Sequence, residues 1–197
     1  MIAPKRNGPA QNLPLFELKI TLRGSNPAIW RRVQVPGSTN LTRLHDVFQI
    51  VMGWADSHLH HFIDAPIVYS VPSDDDYPGQ ERLDERRIRL ADVARHEKAS
   101  FIYEYDFGDS WVHEVVVEKT LPADLKRKYA VCLDGENACP PEDCGGIWGY
   151  YELLQAVKNP KHKEHQEMLD WLGGPFDPDH FDLQKINAEL RRLGNLA

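Results

Sequence analysis

The sequence has little of what marks an exported or membrane-spanning protein. It holds only three cysteines among 197 residues, and no apolar run approaches the roughly 20 residues that a membrane-spanning helix needs. The opening segment, MIAPKRNGPAQNLP, carries positive charge without an apolar core behind it, so no secretory signal is predicted. Three thiols without an export signal favour a reducing compartment. We therefore expect a cytoplasmic protein with no membrane partner.

A protein kinase is excluded, although Asp-Phe-Gly at 106–108 matches the magnesium-binding tripeptide of kinases. The chain shows no glycine-rich loop, no strand lysine and no His-Arg-Asp catalytic loop. These three residues lie between two segments in which apolar residues alternate with polar ones, a pattern typical of a β-hairpin.

We predict that Gly108 and Asp109 form the two-residue turn of this hairpin, with the glycine supplying the positive φ. In that register Glu104 faces His113 across the two strands. Phe107 falls on the core face, and the polar residues form a rim at the tip.

The net charge of −7 is unevenly distributed: residues 1–50 carry +5 and the remainder carries −12. An acidic chain does not attract phosphate backbones as a whole. A local basic strip of Arg23, Arg31 and Arg32 is the feature that favours nucleic-acid contact, and solvated charges at strand ends are the simpler interpretation.

The apolar periodicity predicts one α+β domain at 14–197 behind a flexible tail at 1–13. A β-hairpin, a helix and a strand open the domain, as in β-grasp or α/β-roll arrangements, and helices flank the mixed sheet at the C-terminus. Strands are expected near 15–23, 29–35, 58–64, 100–107 and 110–119, and helices near 41–52, 147–158, 161–172 and 179–193. The polar stretch 72–89 is expected to be an exposed loop, and turns are expected throughout 120–145.

Several long segments resemble one known family. They are PAIWRRVQVP, LHDVFQIVMGWADSHLHHF, YEYDFGDSWVHEV, CLDGENACPPEDCGGIWGYYELL and FDPDHFDLQKINAEL. In this order they are similar to the plasmid pRiA4b ORF-three-like family, whose members are often met on plasmids and near transposable elements. The resemblance covers about residues 14–192. It implies a compact α+β domain and a mobile-element context, and it implies no established activity.

The cysteine loop is a candidate zinc site. Cys132, Cys139 and Cys144 are separated by six and four residues, and structural zinc sites favour two to four. A histidine would have to supply the fourth ligand. The alternative is three reduced thiols in a tight turn, with Glu142 and Asp143 capping the helix that follows.

The segment DSHLHHF offers a second candidate metal site. His58 and His60 share one face if the segment is a strand, and such a pair can chelate a metal with a carboxylate. We expect a catalytic site only if they meet Glu104, Asp106 and His113 across the sheet.

Three functions follow from these observations. The first is a non-catalytic binding or accessory protein of mobile DNA, stabilised by zinc. The second is a metal-dependent hydrolase or nuclease that uses His58, His60, Asp106 and His113. The third is a protein-interaction module that uses the acidic 72–89 loop and the C-terminal helices.

Overall fold

A computed structural model describes residues 13–72, 82–124 and 126–196. The strands are β1 (Leu15–Leu22), β2 (Trp30–Pro36), β3 (His60–Asp64), β4 (Ile67–Ser70), β5 (Arg82–Asp84), β6 (Ser100–Tyr105), β7 (Trp111–Leu121) and β8 (Val131–Glu136). The helices are α1 (Leu41–Met52), α2 (Leu90–Val93), α3 (Gly146–Lys158), α4 (His165–Leu172) and α5 (Leu183–Leu193), with a 3₁₀ turn at Glu85–Arg87.

One mixed sheet in the order β5-β4-β3-β6-β7-β1-β2-β8 forms the centre of the fold. Its neighbouring strands are antiparallel except β4 and β5, which are parallel. The predicted α+β class is confirmed, and so is the opening order of hairpin, helix and strand. β3 does not join the hairpin, because β6 and β7 lie between them.

Helix α1 covers the core face of the sheet. Asn40 accepts a hydrogen bond from the Arg43 amide at its N-terminus, and Gly53 ends it with φ 92°. Its apolar stripe includes Leu44 and Phe48, which are fully buried. Phe48 packs edge-on against Tyr103 of β6, with ring centroids 5.1 Å apart.

The tip of the β6–β7 hairpin differs from the prediction. Tyr105 pairs with Trp111, so residues 106–110 form the loop and the register shifts by one residue. A shift of one residue moves side chains to the other face of the sheet. His113 therefore lies fully buried on the core face and pairs with Tyr103 instead of Glu104, whereas Phe107 is about half exposed.

Strand β8 lies within the stretch where only turns were predicted, so that prediction is wrong there. β8 pairs with β2 and forms one edge of the sheet. The side-chain amide of Asn187 on α5 donates to the Cys132 carbonyl at 2.8 Å and accepts from the Cys132 amide at 2.9 Å. This helix side chain thus takes the place of a neighbouring strand.

Parts of two predictions fall outside the described residues. These are the tail at 1–12 and the segment 73–81 of the predicted exposed loop. The rest of that loop is ordered as β5 and the 3₁₀ turn, where Glu85 is fully buried. No helix among the described residues is both long enough and apolar enough to span a bilayer.

Candidate metal centre

Three separate segments meet at one end of the central strands. β3 and β6 are antiparallel and pair His60 with Tyr105, so the residues before β3 and after β6 lie side by side. The Asp106 amide accordingly donates to the Leu59 carbonyl at 2.8 Å. His58 and Asp106 occupy these two positions, and Asp143 arrives from the loop before α3.

These three side chains bring one ligand atom each to a common point. His58 Nε2 lies 3.1 Å from Asp143 Oδ1 and 3.7 Å from Asp106 Oδ2. All three ligand atoms lie within 4.8 Å of one another. In the described part of the chain, no other set of three histidine, cysteine or acidic side chains converges in this way.

The His58 Nε2 atom is buried and unsatisfied. Although Asp143 is close, no acceptor in the structure is aligned for a hydrogen bond with this nitrogen. A buried nitrogen without a partner is costly, and a metal ion would satisfy it. Ligand atoms of a tetrahedral zinc site, each about 2.0–2.2 Å from the ion, lie about 3.3 Å apart, so the observed spacing fits one imidazole and two carboxylates.

Asp106 is positioned by its own loop. Its φ is 57°, a left-handed value that aspartate tolerates better than most residues. Its Oδ1 atom accepts from the Gly108 amide at 2.9 Å and from the Asp109 amide at 3.4 Å, which leaves Oδ2 directed toward His58. Gly108 is not among the described residues with positive φ, so the prediction that it supplies the turn conformation is wrong.

The loop that carries Asp143 is held by its neighbour Glu142. The Tyr105 hydroxyl donates to Glu142 Oε1 at 2.5 Å, and the Ala55 amide donates to the same oxygen at 3.2 Å. Tyr105 in turn accepts from the Ser57 amide at 2.9 Å. Burial, then the hydrogen bond to Glu142, raises the pKa of Tyr105, so the hydroxyl keeps its proton and remains a donor.

The start of α3 docks on the hairpin tip. The Gly145 amide donates to Asp109 Oδ2 at 3.1 Å. Gly146 has φ 67°, and a Cβ there would lie 2.5 Å from the Asp109 carbonyl oxygen. Only glycine allows this approach, which brings the third ligand beside the other two. Gly145 caps α3 without a side-chain bond, so Glu142 and Asp143 do not fill the predicted capping role.

The other predicted catalytic residues lie elsewhere. His60 contacts both Glu85 oxygens, at 3.1 and 3.2 Å. Glu104 binds His61 Nε2 at 2.9 Å on the opposite face of the sheet. His113 is enclosed in the core, where burial lowers its pKa to about 4. Of the predicted set, the structure unites only His58 and Asp106.

Among the described residues, the three cysteines do not form a group of three possible metal ligands, either with one another or with a histidine or carboxylate. Cys132 is buried on β8, and Cys139 and Cys144 are partly buried. Burial raises the pKa of Cys132 to about 11 and that of Cys144 to about 12. The cysteine loop as a zinc site stays a prediction from the sequence, without support from this geometry.

The predicted basic strip is divided between the two faces of the sheet. Arg32 pairs with Glu118 at 2.5 Å and with Asp134 at 3.5 Å, and Arg23 lies 3.8 Å from Glu114. Arg31 points to the core face and is only 3% exposed. No continuous basic surface for nucleic acid follows from these three side chains.

A cleft of about 330 Å³ opens beside the candidate metal centre. Asp143 and Cys144 form its near wall, and Glu152, Met168 and Trp171 on α3 and α4 line the rest. The cleft therefore gives a small molecule access to the side of Asp143.

Asp143 is the residue of the candidate metal centre that the sequence did not predict. Its position before two glycines indicates a helix cap, and the only signal of another role was its place in a loop with little apolar content to hold it.

Comparison with known proteins identifies the chain at the level of family. The family model described as plasmid pRiA4b ORF-3-like protein matches residues 14–185. The chain belongs to this family.

Members of the plasmid pRiA4b ORF-3-like family that resemble the chain have no stated function. An uncharacterised protein y4hQ from Sinorhizobium fredii (strain NBRC 101917 / NGR234) is 41% identical over 181 residues, which is 91% of this chain and 92% of the relative. The crystal structure of a protein of unknown function, MM3350 from Methanosarcina mazei Go1, is 35% identical with a TM-score of 0.78. The match covers 90% of this chain and 98% of the MM3350 chain.

Proposed function

We propose that the chain is a binding protein that holds one divalent metal ion at His58, Asp106 and Asp143. The observation that supports it is the convergence of these three ligand atoms from distant segments around a buried, unsatisfied imidazole nitrogen. The family description, which names a plasmid, supports an accessory role for mobile DNA.

The donor set favours a transition metal. Imidazole suits Zn²⁺ and other late transition metals, and carboxylates also suit Mn²⁺. Three protein ligands leave at least one position for water, as in catalytic zinc sites. The ligands differ from the cysteines that the sequence suggested, and zinc remains the first ion to test.

The proposal is tested by titrating Zn²⁺ and Mn²⁺ into chelator-treated protein by calorimetry, with elemental analysis of the untreated protein. Asp106→Asn keeps the Oδ1 acceptor and removes the charged Oδ2, so we expect at least 10-fold weaker binding. Glu104→Gln is the matched control, since Glu104 lies two residues before Asp106, at the end of β6, but bonds to His61 and Ser110. Absence of one-to-one binding to the wild type, or equal binding by both variants, would refute the metal site.

A second candidate function is hydrolysis, and the cleft beside Asp143 favours it. A divalent ion with an open position lowers the pKa of bound water and supplies a nucleophile near pH 7. Asp106 and Asp143 would fix the ion, and the cleft would hold the substrate. The acidic surroundings disfavour a long polyanion and favour small neutral or cationic esters and amides.

Activity is tested in the presence of Zn²⁺ or Mn²⁺ with p-nitrophenyl acetate, a neutral ester, and with the anionic bis-p-nitrophenyl phosphate, which we expect to be the poorer substrate. Hydrolysis that requires metal and falls at least 100-fold in Asp143→Asn supports an enzyme. Stoichiometric metal binding without turnover of either ester leaves the non-catalytic binding protein.

A further inference from the structure

Arg31 is a buried cation for which the structure provides no anion. It is 3% exposed, and no carboxylate of the described residues forms an ion pair with it. Buried charges in proteins are normally paired, because removing them from water is costly. Arg31 therefore has no counter-ion among the described side chains.

The guanidinium group is held in one orientation. Nε donates to the Val51 carbonyl at 2.8 Å, and Nη1 donates to the carbonyls of Trp30 and Glu136 at 2.8 and 2.9 Å. Val51 lies in the last turn of α1, where the helix dipole is negative, so this bond suits a cation. These contacts use Nε and Nη1 and leave Nη2 without a partner among the described residues.

The side chain is also tightly packed against Phe181 and Gly135. Its guanidinium carbon lies 4.9 Å from the centre of the Phe181 ring. A Cβ on Gly135 would lie 2.8 Å from Arg31 Cδ and 2.7 Å from the Phe181 ring, so the site requires glycine there. Such packing presents the group rigidly, as recognition of a carboxylate or phosphate demands.

Arg31 lines a cleft of about 190 Å³ between the end of α1 and the start of α5. Lys185 also lines it and adds positive charge, and His180 lies in the same wall. Two acidic residues line the same cleft, Asp182 and Glu189. Asp182 is already engaged, because its Oδ1 accepts from the Lys185 amide at 2.9 Å and caps α5.

We propose that this cleft binds a small oxyanion, a carboxylate or a phosphate, between the free Nη2 of Arg31 and the ammonium group of Lys185. Arginine presents two parallel donors to such groups, and the bond is stronger where water is excluded. The volume suits a small molecule or a single terminal group and not a nucleic-acid strand. The site is independent of the metal centre.

Binding is measured on chelator-treated protein at constant ionic strength, with inorganic phosphate and acetate titrated separately against chloride. We expect a saturable rise in melting temperature with at least one of the two, and the stronger of them identifies the source chemistry. The same rise in Asp106→Asn shows that the metal centre is not involved.

Two substitutions on α5 decide whether the cleft is the site. Lys185→Gln should weaken oxyanion binding at least 5-fold, and Glu189→Gln should strengthen it by removing a negative charge from the wall. Arg191→Gln, an exposed change of the same charge on α5, is the control and should leave binding unchanged. Arg31→Met removes the guanidinium group and should abolish oxyanion binding, and the α5 variants keep the test informative if Arg31→Met does not fold.

Three results would overturn the proposal. They are the absence of saturation by either anion, equal effects of Lys185→Gln and Arg191→Gln, and weaker binding by Glu189→Gln. The last would mean that the negative charge of Glu189 does not repel the bound anion, as it must if the oxyanion lies in this cleft.

Discussion

His45 and His60 stack face to face, with ring centroids 3.5 Å apart and planes inclined by 4°. Each ring has a carboxylate at its Nε2: Asp56 at 2.8 Å for His45 and Glu85 at 3.1 Å for His60. Burial, and then the nearby charge of His60, lowers the pKa of His45. Two stacked imidazoles cannot both be charged without repulsion, so acid should weaken this part of the core.

His113 gives the clearest pH dependence of stability. Burial lowers its pKa to about 4 in the folded state, against about 6.5 in the unfolded chain. The unfolded state therefore binds more protons below pH 6.5, and stability falls as the pH drops from about 6.5 to about 4. The shift corresponds to about 3 kcal/mol of unfolding free energy.

Urea unfolding at pH 7.5 and pH 4.5 tests this prediction. The free energy of unfolding should fall by about 2–3 kcal/mol less in His113→Leu than in the wild type between the two pH values. The exposed His96→Leu is the surface control and should show no comparable difference. Parallel losses in wild type and His113→Leu would contradict the assignment.

Removing the Tyr105 hydroxyl should weaken metal binding without removing a ligand. Tyr105→Phe loses the bond to Glu142 that holds the Asp143 loop, and changes of this kind typically cost 10-fold to 100-fold in metal affinity. Calorimetric titration of Zn²⁺ measures the effect, and we expect about 10-fold. Tyr151→Phe, which also loses hydrogen bonds but to residues 24–26, should bind as the wild type does.

Gly146→Ala should destabilise the fold by about 3 kcal/mol, from left-handed strain together with the clash at the Asp109 carbonyl. Gly173→Ala is the matched control, because its φ of 74° imposes similar strain while no atom lies within 4 Å of the added Cβ. Unfolding free energies should differ by about 2 kcal/mol between the variants. Equal values would show that the hairpin tip and α3 are not in tight contact.

The thiols should react slowly in the native protein. Burial raises the pKa of Cys132 to about 11 and that of Cys144 to about 12, so little thiolate is present at pH 7.5. We expect modification by a disulfide reagent to be about 100-fold slower than in urea.

Adding a chelator distinguishes two causes of slow thiol modification in the cysteine loop, burial and a bound metal ion. If burial alone protects the thiols, the chelator leaves their reaction rate unchanged. A marked acceleration would instead support the zinc site that the sequence of the cysteine loop suggested.

The strands and helices of strong periodicity were predictable, but the hairpin register was not. A glycine between two apolar runs normally takes the positive φ of the turn. Here Asp106 and Ser110 adopt it, at 57° and 54°, and the Asp106 carboxylate bonds within the loop. The resulting register places His113 on the core face, where the sequence predicted the polar face.

The candidate metal centre was predictable only in part, because it depends on contacts between distant segments. The alternation of β3 separates His60 from His61, and pairing with β6 brings His58 to Asp106. The approach of Asp143 depends on Gly146 fitting against the hairpin tip, a contact that no local pattern records. β8 was missed for a similar reason: its turn-rich sequence becomes a strand only because β2 offers an unpaired edge.

The two hydrogen bonds from the Asn187 side chain on α5 to strand β8 affect how this protein contacts other copies of itself. Exposed sheet edges recruit further strands and seed aggregates. A strand of another molecule could pair with β8 at Cys132 only after both hydrogen bonds from Asn187 had broken. The Asn187 side chain therefore blocks edge-to-edge association of the sheet. Its removal should lower the solubility of the protein before it causes unfolding.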